Sequence, residues 1–256
     1  MNISIASIIW CSLIPVAAAI FGSSMAILFP PKPIVRSYLQ HLAAGVVFSV
    51  VAVELLPDII HRQMPWELGF GFSAGVIAML ALRAFSERAE EKAHAVSGDA
   101  AHDGGVQKPP SLPLSLLAGV GIDIFLDGLL ISISFAAGSK QGMLLTLALA
   151  VELLSMGLAV AATLGKRGLQ PKRVLLINSL LFLTIAVGAA FGAILIPLLS
   201  EMLLDLILAF GLAALLFLVT EELLVEAHKE PESSLATGLF FIGFLAFLIL
   251  GMNGKG

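Results

Sequence analysis

Long apolar runs, broken by short clusters of charge, proline and glycine, set the pattern of this chain from end to end. A hydrocarbon layer about 30 Å thick is crossed by about 20 residues of α-helix, and eight runs reach that length. They lie near 3–29, 36–60, 67–84, 112–137, 141–164, 173–198, 202–227 and 233–252. Membrane-crossing strands are about half as long and alternate in polarity, and these runs do neither. The pattern predicts an all-α integral membrane protein, a single eight-helix transmembrane domain over residues 1–256. Residues 85–111 are polar and rich in small side chains, so they are expected to form a loop. That loop divides the spans into three and five.

Composition agrees. The chain is 59% hydrophobic and 12% charged, where a soluble domain is nearer a quarter charged. No basic cluster is interleaved with aromatics, which excludes nucleic acid as a partner and leaves the lipid bilayer. Cys11 is the only cysteine, so neither an intrachain disulfide nor a multi-cysteine metal site is available. The first ten residues, "MNISIASIIW", lack a basic region and a small-residue cleavage site, and read as the start of a retained span.

Eight spans place the linking segments alternately on two sides. One side carries both termini and Arg62, Lys140 and Lys255; the other carries the remaining eleven basic residues. Cytoplasmic segments hold the excess of Lys and Arg. Both termini are therefore expected outside and the 85–111 loop in the cytoplasm. Short loops and a compact chain favour a bacterial inner (plasma) membrane.

Against this background the acids within spans stand out. Asp123 and Asp127 in "GIDIFLDGLLISI" are four apart and share one helix face. Glu152 and Met156 in "ALAVELLSMGLAVA" repeat the spacing in the next span. The link "GSKQG" (138–142) makes the two spans an antiparallel hairpin. Asp127 lies 13 residues before Lys140 and Glu152 lies 12 after, so at about 1.5 Å per residue they sit at matching depth. No Lys or Arg lies near the middle of any span to balance three converging carboxylates. Two remedies remain, protonation or a bound cation, and a divalent metal suits such oxygen ligands. The bland alternative is that protonated acids bond to neighbouring helices as polar glue. Met156 alone would be read as packing.

Other acids gather near span ends. Glu221, Glu222, Glu226 and His228 close span 7 at the expected inner mouth, and Glu54 and Asp58 lie near the outer end of span 2. Charge is cheap near water, yet with the central acids these outline a route. His94 and His102 can capture a metal in the loop, or stand there merely solvated. His41 reads as interfacial. The small residues of "GAAFG" (188–192) and "HLAAG" (41–45) suit close helix packing, within the chain or in a homodimer. Asn178 is a buried polar group without an assigned role.

These features resemble the ZIP (Zrt-/Irt-like) family of divalent metal transporters. The three-plus-five arrangement and the outward termini are family features. "DIFLDG" (123–128) aligns with the family's His-Asn-x-Pro-Glu-Gly, "ELLSMG" (152–157) with His-x-x-Pro-Glu-Gly, and "EELLVEAH" (221–228) with His-Glu-x-x-Pro-Glu-x-His. "HLAAGVVFSVVAVELLPD" in span 2 is also similar. The chain departs from the family at several positions. Asp123, Glu152 and Glu221 stand for histidines, Asp127 and Met156 for glutamates, and Ile124 and Leu153 where a second metal would be served. The resemblance implies one central site of Asp123, Asp127 and Glu152, with Met156 beside it. It further implies import of divalent metal as transported substrate, with no tightly bound cofactor and no enzyme activity. Carboxylates in place of imidazoles shift preference towards Mn²⁺ or Fe²⁺, while Zn²⁺ stays available by affinity order and Cd²⁺ through Met156.

Two other classes compete. The same fold can move protons or a monovalent cation through an acidic relay. An intramembrane aspartyl hydrolase would use Asp123, for which "GVGID" (119–123) is a superficial signature. That motif has one residue too many, and Tyr38, the only tyrosine, supplies no Tyr-Asp partner.

Overall fold

The computed structural model describes residues 5–98, 114–231 and 233–253. Within them lie eight helices long and apolar enough to cross a membrane, and no strand. They are α1 (Ile5–Leu28), α2 (Pro33–Arg62), α3 (Pro65–Gly98), α4 (Leu114–Ala137), α5 (Ser139–Lys166), α6 (Pro171–Leu198), α7 (Glu201–Ala227) and α8 (Ser234–Asn253). Pro33, Pro65 and Pro171 each open a helix, where the missing N–H costs nothing and φ is already helical.

The eight runs read from hydropathy all coincide with helices, with one extension. The first part of the expected loop continues α3 through Gly98. Residues 86–96, "SERAEEKAHAV", hold many strong helix formers and no glycine or proline, so polarity there ends the apolar span without ending the helix. His94 falls in this extension, and His102 lies outside the described residues.

Helices associate in lipid through small residues that let backbones approach, and four pairs do so here. A Cβ on Gly22 of α1 would meet the Leu154 carbonyl of α5 at 2.2 Å, and one on Gly157 would meet Ala19 of α1 at 2.3 Å. The same reciprocal contact joins α2 to α8 (Gly45 with Phe240, Gly243 with Leu42) and α4 to α6 (Gly128 with Ile185, Gly188 with Phe125). Gly71 and Gly75 of α3 lie against α7. The glycines of "HLAAG" and "GAAFG" are thus spent on contacts inside the chain. Packing then sorts the helices into two groups, α1, α4, α5 and α6 against α2, α3, α7 and α8. The groups meet chiefly where α2 lies on α5 and where α4 touches α3 and α7. α2, α4, α5 and α7 are the more buried four, and α1, α3, α6 and α8 turn much of their surface outward.

Candidate metal centre

The one-residue link at Gly138 between α4 and α5 fixes the hairpin in register. Gly142, at the start of α5, lies directly under the Phe135 ring, where a Cβ would come within 2.3 Å. Ten residues further along α5, Glu152 is fully buried, at 0% exposure. Across from it on α4, Asp123 and Asp127 are buried one turn apart. Each of the three offers an oxygen within 4.8 Å of the others. The depth-matching along the hairpin and the shared face on α4 together produce this cluster.

Hydrogen bonding within the protein leaves the cluster unsatisfied. Both Glu152 carboxylate oxygens and Asp127 Oδ2 are buried with no hydrogen-bond partner. Buried polar atoms are as a rule paired, because each orphan costs its full desolvation. Polar glue between helices would satisfy these oxygens with donors from neighbouring helices, and it does not. What the oxygens lack is a positive partner, whether a proton or a metal ion. Three carboxylate oxygens at this spacing form a hard-ligand set.

A cavity of about 480 Å³ leads from this cluster to one end of the bundle. Asp123, Ser155 and Met156 stand at its inner part, and Arg36, Arg83, Glu226 and Lys229 line it as well. Asp123 is the only member of the trio on its wall; Asp127 and Glu152 do not line it. Met156 is half-buried and lines the cavity beside Asp123.

Glu221, Glu222 and Glu226 of α7 all line this cavity, but they take different partners. A π-helical turn over Leu218–Leu223 interrupts α7. Such bulges recur at functional sites, and this one changes the helical phase along "TEELL". Glu222 lines the cavity and lies near enough to act electrostatically on all three central acids. Glu221 instead pairs with Arg83 of α3 at 2.8 Å, while Glu226 holds both Arg36, at 3.1 Å, and Lys229. His228 is exposed and its ring meets that of His41 at 5.1 Å, edge to face. His41 itself is buried, with Nδ1 2.9 Å from the Ser37 carbonyl, so it is a helix-packing residue where sequence placed it at the interface.

At the opposite end the two α2 acids also part company. Glu54 sits in a second π-helical turn, Val51–Leu55, and pairs with Lys140 of the hairpin tip at 2.9 Å. Its side chain is 7% exposed and that of Lys140 is 32%. Asp58 pairs with Arg62 at 3.0 Å, and Arg62 reaches Asp205 of α7 at 2.6 Å. Glu54–Lys140 is an ion pair that joins the two helix groups. Asp205 was missed in the sequence, although a single acid inside the apolar start of α7, at the same end as Arg62, is a readable signal. Asn178 gains a role as well. Its Nδ2 donates to Ser23 Oγ at 2.8 Å and to the Gly157 carbonyl at 3.3 Å, tying α6 to the α1–α5 contact.

No family model matches the chain. A curated relative does. It is the zinc transporter GufA of Myxococcus xanthus, 33% identical over 162 residues, which is 62% of this chain and 62% of that protein. The aligned part thus spans less than two thirds of the relative. The likeness supports a metal transporter of the kind the motifs resemble.

Proposed function

We propose that the protein imports divalent metal ions into the cytoplasm through the carboxylate site between α4 and α5. The observation that carries this reading is the buried trio Asp123, Asp127 and Glu152, whose oxygens converge within 4.8 Å while three of them lack any partner. A site built from side chains on facing helices of a bundle, short of positive charge, is an ion-binding arrangement by default. In our reading Asp127 and Glu152 hold the ion, Asp123 faces it from the cavity wall where it leaves, and Met156 adds a soft ligand for ions that accept one. Metal arrival displaces protons from the acids.

Three against eleven basic residues supports a cytoplasmic position for the end bearing Arg36, Arg83 and Lys229, with both termini outside. On that orientation the cavity opens inward, and the ion pairs Glu54–Lys140 and Arg62–Asp205 close the outer end. Mn²⁺, Fe²⁺ and Zn²⁺ fit an all-oxygen site, and the relative's description favours Zn²⁺. Transport of protons or a monovalent cation on the same fold is the second reading, favoured by the absence of any imidazole from the trio. Uptake into proteoliposomes decides. Asp127→Asn is expected to abolish Mn²⁺ or Zn²⁺ uptake in protein that still folds, and unchanged uptake would remove the trio from the mechanism. Metal-independent proton flux through the wild type would favour the second reading.

A further inference from the structure

A second cavity, of about 500 Å³, lies away from the carboxylates, between the end of α1, the start of α2, the end of α5 and the start of α6. Its walls are apolar and mostly small, including Ala26, Ala162, Leu169 and Val174, and two cations, Arg36 and Lys166, stand on it. All four helix ends lie at one end of the bundle, where helices long enough to span the hydrocarbon would meet lipid headgroups.

Charge around this groove does not balance. Glu226 alone answers both Arg36 and Lys229. Arg36 Nε is buried and has no acceptor in the protein. Among the described residues Lys166 forms no ion pair, and the exposed Arg167, Lys172 and Arg173 follow it along the chain. A groove with apolar walls and an excess of positive charge at its polar edge suits an amphiphile with an anionic head. Basic pockets between membrane helices select such headgroups, while a zwitterionic lipid brings no net charge to answer them.

We propose that this groove is a binding site for an anionic phospholipid, with its phosphate held between Arg36 and Lys166 and an acyl chain along the Ala26–Ala162 wall. Arg36 gives the site a reach beyond its own edges. The same side chain lines the carboxylate cavity and holds Glu226, so a phosphate that draws the guanidinium loosens one ion pair at the cavity mouth. The proposal rests on the groove itself and not on which ion the carboxylate site carries.

Native mass spectrometry and thermal unfolding of the detergent-purified full chain, with phosphatidylglycerol or phosphatidylcholine added, test it. Phosphatidylglycerol is expected to be retained and to raise the melting temperature, and phosphatidylcholine is not. Lys166→Gln should weaken phosphatidylglycerol retention by roughly fivefold, the worth of one basic residue at a lipid surface. Lys172→Gln, which removes the same charge from outside the groove, should leave retention unchanged. Ala162→Phe, which fills the apolar wall, should also reduce it. Equal loss in Lys166→Gln and Lys172→Gln would overturn the proposal in favour of diffuse surface charge. Equal retention of the two lipids, or the same stabilisation by inorganic phosphate alone, would overturn it as well.

Discussion

Replacing Glu152 by glutamine separates a cation site from a structural acid by the sign of its effect. Glu152 has two acidic neighbours within 4.8 Å. Two unit charges at that distance repel by about 3.5 kcal/mol at an effective dielectric near 20, so Glu152 ionised beside both faces about 7 kcal/mol. Protonation caps this penalty, since neutralising an ordinary carboxylate at pH 7 costs about 4 kcal/mol. Glu152→Gln keeps the shape and removes the charge, and its amide can donate to the Asp123 and Asp127 oxygens. The cation-free protein is therefore expected to gain up to about 4 kcal/mol. The wild type, by contrast, gains about 2.7 kcal/mol from a ligand at a hundred times its Kd, and the variant should lose most of that gain. The assay is thermal unfolding in detergent, first with chelator and then across a Mn²⁺ or Zn²⁺ titration. A change of 1 kcal/mol moves the melting temperature by about 2–4 °C at this chain length. A variant that melts below the wild type in chelator, yet keeps the full metal-induced shift, would refute the reasoning and return Glu152 to a packing role.

Breaking one half of the Glu54–Lys140 pair with Lys140→Gln strands a nearly buried carboxylate. A loss of about 1–2 kcal/mol is expected, below the range for a fully buried pair because Lys140 is partly solvated. The exchange Glu54→Lys with Lys140→Glu should recover part of it, read as melting temperature. Gly45→Leu drives a side chain into the Phe240 carbonyl of α8, where even a Cβ would sit at 1.9 Å. Loss of the monodisperse peak in size-exclusion chromatography is the expected outcome. Asn178→Ala removes two hydrogen bonds between α6 and the α1–α5 contact and leaves Ser23 and Gly157 to rearrange. It is expected to cost about 1–3 kcal/mol, with metal-induced stabilisation retained.

The central trio was legible because a hairpin with a one-residue link preserves register. Residue counts out from Lys140 become depths, and i, i+4 spacing becomes a shared face. Helix number followed as directly, since span length is set by the thickness of the hydrocarbon layer. Two kinds of feature resisted. The π-helical turns in α2 and α7 shift phase by a residue without altering composition, so the different partners taken by Glu222 and Glu226, and by Glu54 and Asp58, were hidden. Pairings between distant segments, such as Glu54 with Lys140 or Arg62 with Asp205, depend on which helices pack together. That choice is made by glycines meeting carbonyls across helix pairs, which spacing along a single helix does not reveal.

The division of the bundle bears directly on the acids. Asp123, Asp127 and Glu152 ride on one set of four helices, and Glu222 rides on the other. On the proposed function, the number of acids facing an ion therefore depends on how the two sets are aligned, since Glu222 reaches the trio from the second set. A transporter so divided would change its grip on a cation by sliding one acid in or out of range, with every carboxylate on the hairpin left where it is.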